Sequence, residues 1–138
     1  MTGDISPETK RILAVDDEIH MRIFLTTLFE TNGFQIQVAR DGREGMKIAR
    51  EFRPHLIMLD VMMPGKGGVP MYRLLKTDPD LQNVPVVFLT GVAGESFSHC
   101  LKMISAGLSE PLPRPEGYLE KPPNPDQLLE VVRGLLGG

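Results

Sequence analysis

Short apolar runs alternate along the chain with segments of helical periodicity. The first run ends in Val15, later runs occupy 56–59, 86–89 and 118–120, and residues 34–39 alternate between apolar and polar. Short apolar runs bounded by polar residues are typical of buried strands, whereas strict alternation suits a strand nearer a sheet edge. The pattern therefore predicts five strands.

Apolar positions spaced three and four residues apart predict five helices. The predicted helices follow the strands at about 21–31, 45–52, 69–76, 97–104 and 125–136. Asn124 can cap the last one, with Pro125 at its first position and Gln127 three residues after the cap. Strands that alternate with helices predict an α/β protein with a mainly parallel sheet covered on both faces.

The length of 138 residues favours one domain. Residues 1–10 lack any period and are predicted to be a loose tail, so the domain would span 11–138. Residues 109–117 carry three prolines and look like an insertion that is neither helix nor central strand.

Composition and charge exclude several classes of protein. The net charge of −3 gives no basic footprint, so we expect no direct binding to nucleic acid. No apolar run approaches the roughly 18 residues of a membrane span, and residues 1–10 lack the apolar core of a secretory signal. Cys100 has no second cysteine to pair with. Together these features favour the cytoplasm.

Polar residues with distinct chemistry follow the predicted strands. Asp16 and Asp17 follow the first strand, Asp60 the third, Thr90 the fourth and Lys121 the fifth. Ligands of open α/β sheets bind beyond the carboxyl ends of the strands. Clustered carboxylates repel one another, and a hard cation such as Mg²⁺ relieves that repulsion. A cation, a hydroxyl and an ammonium around one carboxylate also suit phosphoryl transfer.

Each of these residues has an ordinary alternative interpretation when taken alone. An Asp-Asp pair after a strand is commonly a helix cap. Thr90 could be a plain strand residue, Lys121 a solvated charge, and Tyr118 a core residue. The interpretation as a phosphoryl-transfer site therefore depends on the residues occurring together.

Four motifs in order give the chain a strong resemblance to the receiver domains of bacterial response regulators. They are Val15-Asp16-Asp17-Glu18, Leu59-Asp60 with Pro64 and Gly68, Leu89-Thr90-Gly91, and Tyr118 with Lys121-Pro122. The resemblance covers about Arg11 to Leu136. It implies a single-domain, flavodoxin-like, doubly wound (βα)5 fold with a five-stranded parallel sheet in the order 2-1-3-4-5.

The resemblance also implies a role for each site residue. Asp60 would be the phosphoacceptor. Mg²⁺ would be held by Asp16, Asp17, Asp60 and the backbone carbonyl of Met62. Thr90 would hydrogen-bond the phosphoryl group, and Lys121 would pair first with Asp60 and then with that group. Tyr118 would be the switch aromatic, and the peptide bond before Pro122 would be cis.

The implied function is that of a two-component signalling switch rather than a metabolic enzyme. Its partners would be a histidine kinase or phosphotransfer protein and a downstream protein or fused output domain, and a homodimer is possible. No membrane partner is expected. Departures from the family pattern include Gly67, Gly91, Pro123 and the proline-rich insertion, which could reshape the output surface.

Two other classes of function stay open at this stage. One is a binding module on the same fold that works without phosphorylation, against which the intact Asp60, Thr90 and Lys121 argue. The other is a Mg²⁺-dependent aspartyl-phosphate phosphatase of the haloacid-dehalogenase type. Those enzymes carry a second Asp two residues after the nucleophile, whereas Asp16 is followed by Asp17 and Glu18. A stand-alone receiver and a piece of a longer protein are both compatible with the sequence.

Overall fold

The computed structural model describes residues 9–60, 68–90, 102, 106 and 112–137. The strands are β1 (Arg11–Val15), β2 (Gln35–Ala39), β3 (Leu56–Asp60), β4 (Val86–Thr90) and β5 (Gly117–Glu120). The helices in these ranges are α1 (Ile19–Glu30), α2 (Gly42–Phe52), α3 (Gly68–Thr77) and α4 (Pro125–Leu136). Most of the predicted tail, most of the predicted helix at 97–104 and the start of the insertion lie outside the described residues.

The five strands form one parallel sheet in the order β2-β1-β3-β4-β5. This confirms the predicted fold, including the place of the alternating strand β2 at a sheet edge. In the register, Val15 lies opposite Leu59, Asp60 opposite Leu89, and Thr90 opposite Glu120. The carboxyl ends of the central strands therefore finish almost level with one another.

The sheet separates two apolar clusters. Alternate residues of β1 and β3, such as Leu13 and Ile57, pack under α2 and α3 on one face. Their neighbours, such as Ile12 and Leu56, pack under α1 and α4 on the other face. Because both faces are covered, β3 is buried along its whole length, as expected for a parallel sheet. No helix within the described ranges is long and apolar enough to cross a membrane.

The ends of the helices follow local chemistry. The Oδ1 of Asn124 accepts a hydrogen bond from the N–H of Gln127 at 3.0 Å, which confirms the predicted cap of α4. Gly33 follows α1 with φ of 88°, a conformation that glycine adopts without steric cost. Arg53 ends α2 with φ of 53°, which is uncommon for a residue with a side chain. Its carbonyl accepts hydrogen bonds from the guanidinium of Arg11.

The described part of the proline-rich segment is bound to the domain. Leu112 packs against the cluster under α3, and the hydroxyl of Tyr72 donates to the carbonyl of Pro113 at 2.6 Å. Glu116 and Val86 exchange two hydrogen bonds, at 2.8 and 2.9 Å. Gly117 pairs with Val87 as the first residue of β5. The predicted boundary was wrong by one residue, because a glycine at a sheet edge can still pair through its backbone.

Candidate functional site

Three carboxylates meet at the carboxyl ends of β1 and β3. Asp16 directly follows β1, and its N–H donates to the carbonyl of Ala39 in the neighbouring strand at 3.0 Å. Asp60 is the last residue of β3. Asp16 and Asp60 are 0% and 3% exposed, whereas Asp17 is exposed. One carboxylate oxygen from each of the three lies within 4.8 Å of the others.

Lys121 joins the two buried carboxylates. Its Nζ lies 2.9 Å from Oδ2 of Asp60 and 2.6 Å from Oδ2 of Asp16. The sequence resemblance predicted the contact with Asp60 but not the one with Asp16. Two buried carboxylates therefore share one ammonium, and the buried part of the site carries a surplus negative charge when all three groups are ionised.

The pKa values of the site reflect burial and this sharing. Burial raises the pKa of Asp16 above its ordinary value of 3.8, although Lys121 and the N–H of Glu18 act in the opposite direction. Burial alone would lower the pKa of Lys121, but the two carboxylates outweigh burial and raise its pKa above 10.5. Lys121 is therefore an ammonium at neutral pH.

The loop between β1 and α1 holds Asp16 in place. Oδ1 of Asp16 accepts a hydrogen bond from the N–H of Glu18 at 2.9 Å, and its carbonyl accepts one from Nη1 of Arg22 at 2.8 Å. The residue that caps α1 is Glu18, and its side chain makes no capping hydrogen bond. Asp16 thus shapes the loop from a position before the helix, and Asp17 does not occupy the cap position. The helix-cap interpretation of the Asp-Asp pair does not fit this geometry.

The donor set fits a hard divalent cation. Its ligands would be carboxylate oxygens, which Mg²⁺ prefers. Within the described part of the chain, Oδ2 of Asp16 is buried and accepts no well-aligned hydrogen bond, despite its short distance from Lys121. A buried carboxylate oxygen without an aligned donor is costly, and a divalent cation beside it would add positive charge that Lys121, shared with Asp60, supplies only in part.

The other predicted site residues are placed in part. Thr90 ends β4 opposite Glu120, one position beyond the level of Asp60, and its side chain lies outside the described residues. Met62, Gly67 and Gly91 also lie outside them. Tyr118 lies in β5, half-buried against the cluster under α2 and α3. The peptide bond between Lys121 and Pro122 is cis, as predicted.

Comparison with known proteins agrees with this fold. The response regulator receiver domain family matches residues 12–133, which is nearly the whole chain. The chain belongs to the response regulator receiver domain family. It is a phosphoacceptor signalling domain of the two-component type, a class of switches rather than classical enzymes.

Individual relatives cover the chain almost completely. The polar-differentiation response regulator DivK of Brucella anthropi is 29% identical over 129 residues, which are 93% of this chain and 97% of that protein. Among solved structures, the chemotaxis protein CheY4 of Vibrio cholerae is 26% identical, with a TM-score of 0.78 and coverage of 92% and 98%. A signal receiver domain of a histidine kinase from Syntrophus aciditrophicus is 31% identical, with a TM-score of 0.77 and coverage of 94% and 92%.

Proposed function

We propose that Asp60 accepts a phosphoryl group from a phosphohistidine on a histidine kinase or phosphotransfer protein. A carboxylate oxygen of Asp60 forms the new P–O bond while the P–N bond of the phosphohistidine breaks. The electron pair of that bond stays on the imidazole nitrogen. The observation that carries the proposal is the position of Asp60, at the end of a central strand and 2.9 Å from the ammonium of Lys121.

Charge neutralisation is the main contribution that the surrounding residues make. Lys121 lies close enough to pair with the Asp60 carboxylate before the transfer and with the phosphoryl oxygens after it. Asp16, Asp17 and Asp60, with the backbone carbonyl of Met62, are the proposed ligands of Mg²⁺. When bound, that cation supplies positive charge to the transferring phosphoryl group. Thr90 is the proposed hydroxyl donor to the same group.

The switch and its partners complete the proposal. Tyr118 changes its packing when Thr90 engages the phosphoryl group, and this alters the surface offered to a downstream protein, a fused output domain or a second copy of the chain. The half-buried state of Tyr118 supports this role, because a ring only partly committed to the core can repack at small cost. A cytoplasmic location remains part of the proposal.

Intact-mass analysis tests the phosphoacceptor directly. The chain is incubated with a small-molecule phosphodonor and Mg²⁺, beside Asp60→Asn, which keeps the size of the side chain but removes the nucleophile. We expect one phosphoryl adduct on the wild type and none on the variant. Equal adducts on both would move the reaction to another residue. The absence of any adduct on the wild type would favour a binding module that works without phosphorylation.

A further inference from the structure

Helices α2 and α3 enclose an apolar groove on the sheet face opposite α1 and α4. The groove has a volume of about 300 Å³. Its floor is formed by Met46 and Met71, which are 4% and 1% exposed. Pro70 and Leu74 form the side on α3, and Leu74 is 52% exposed. Methionine adapts its shape to different partners, so this floor can accept bulky apolar side chains.

The opposite side of the groove is basic although the chain as a whole carries a charge of −3. Arg43 and Arg50 line the groove from α2. Lys47 lies between them, so the three cations follow at i, i+4 and i+7 and all are exposed. The nearby Glu44 is not among the residues that line the groove. Its carboxylate accepts a hydrogen bond from the N–H of Arg40, just before the start of α2, at 2.9 Å.

Among the described residues, Asp78 and Asp80 lie near Arg50, and the ion pair that Arg50 makes with Asp78 is loose. Its Nε lies 3.8 Å from Oδ2 of Asp78, and the Arg50 side chain is 60% exposed. A pair this open contributes little stability and can exchange for another carboxylate. The basic side therefore remains available to an acidic ligand.

We propose that the α2–α3 groove binds an acidic amphipathic helix of a partner protein. An apolar floor between two helices suits the apolar face of a third helix, and the cations select a partner with carboxylates. Arg43 and Arg50 are seven residues apart, or about 10 Å along the axis. The partner helix then presents two acidic residues seven positions apart, with bulky apolar residues between them. This surface contains none of the site residues, so the proposal stands independently of phosphorylation.

The test uses the full chain, labelled for amide NMR, and a synthetic peptide of about four helical turns. The peptide carries Leu residues on one face, flanked by Glu at i and i+7. We expect saturable shifts at the amides of Gly42, Met46, Met71 and Leu74. Leu74→Ser and Arg43→Glu alter exposed side chains and leave folding intact, and each should weaken binding roughly tenfold. Arg133→Glu makes the same charge reversal on α4 and should change affinity less than about twofold.

Three results would overturn the proposal. One is the absence of saturable shifts at the groove, whether the peptide binds another surface or does not bind. Another is equal affinity for a peptide with Lys in place of Glu, which would remove the role of the arginines. The third is self-association in sedimentation that Arg43→Glu abolishes, which would assign the groove to a second copy of this chain.

Discussion

Asp16 is a fully buried carboxylate that shares its counter-ion with Asp60. In the folded protein these two carboxylates lie around the single ammonium of Lys121. This charge imbalance opposes folding, because a buried charge that is not fully compensated is destabilising. The same imbalance favours the binding of a cation, so cation binding and folding stability both depend on Asp16.

Replacing Asp16 with Asn should therefore stabilise the metal-free protein. We expect the free energy of unfolding in urea at about pH 7 to rise by roughly 1 kcal/mol. The amide oxygen can still accept the N–H of Glu18. The amide NH2 then faces Lys121 and cannot accept from it, so the ammonium moves toward Asp60, its remaining partner. Added Mg²⁺ should raise the free energy of unfolding of the wild type by more than that of the variant.

The pH dependence of this effect follows from the pKa of Asp16. Burial raises the pKa of Asp16 in the folded state. The stability that the protonated carboxyl contributes is therefore fully present below the ordinary pKa of 3.8, and it is lost as pH rises through the folded-state pKa. The advantage of Asp16→Asn should thus be small at acid pH and grow toward neutrality. An advantage that is constant with pH would show that burial of this charge is not the cause.

The sequence predicted that Asp16, Asp17, Asp60 and Lys121 lie together, but not how they share charge. The place of Asp16 and Asp60 follows from strand order, because both directly end apolar runs of central strands. The 2.6 Å contact of Lys121 with Asp16 depends on where a long side chain extends across the sheet. The spacing of residues along the chain does not indicate which carboxylate Lys121 contacts.

The interior glycines of α2 and α4 have opposite surroundings. A Cβ on Gly45 would lie 2.8 Å from Sδ of Met71 and 2.9 Å from Cγ2 of Val15, whereas a Cβ on Gly134 would meet nothing within 4 Å. Gly45 therefore allows α2 to approach β1 and α3 closely. Gly134 has no such role within the described residues.

Alanine at these two positions should therefore have opposite effects. Gly134→Ala should raise the free energy of unfolding by about 0.5–1 kcal/mol, the usual gain from replacing glycine within a helix. Gly45→Ala should lower it despite the same gain in helix propensity, because Met71 and Val15 must move. Urea titrations of both variants give the comparison. Similar gains at both sites would mean that the close packing around Gly45 yields at little cost.

Local signals predicted the elements best where the chemistry is contained within a few residues. The cap of α4 needs only Asn124, Pro125 and Gln127, and it forms as predicted. The anchoring of the proline-rich segment was not predictable in this way. Tyr72 and Pro113 are 41 residues apart in sequence, so their hydrogen bond depends on the assembled fold. A run of prolines indicates only which regular structures are excluded.

At the scale of the whole molecule, aromatic residues connect β5, which carries Tyr118, with the proline-rich segment. Tyr118 in β5 lies opposite Phe88 in β4. Phe88 packs edge-to-face on Tyr72 at 4.9 Å, and Tyr72 binds the carbonyl of Pro113. A rearrangement of Tyr118 would therefore change the packing of α3 and of the segment before β5.

Beryllofluoride with Mg²⁺ should reveal this connection, because it would imitate the proposed phosphoryl group on Asp60. We expect amide shifts around Asp16 and Asp60 and further shifts at Tyr118, Phe88 and Glu116. Asp60→Asn is the control and should show none of them. Shifts confined to the neighbourhood of the carboxylates would contradict the proposed switch of Tyr118.

The surplus charge beside Lys121 also has a consequence for the turnover of the protein in a cell. A ligand that binds only the folded state lowers the population of unfolded chains by mass action. Proteases that act on transiently opened chains degrade in proportion to that population when opening is fast. Because a bound cation would relieve the repulsion between the carboxylates, the lifetime of the protein would depend on the supply of divalent cations. Under cation starvation we expect the chain to be cleared faster, and Asp16→Asn to escape that loss.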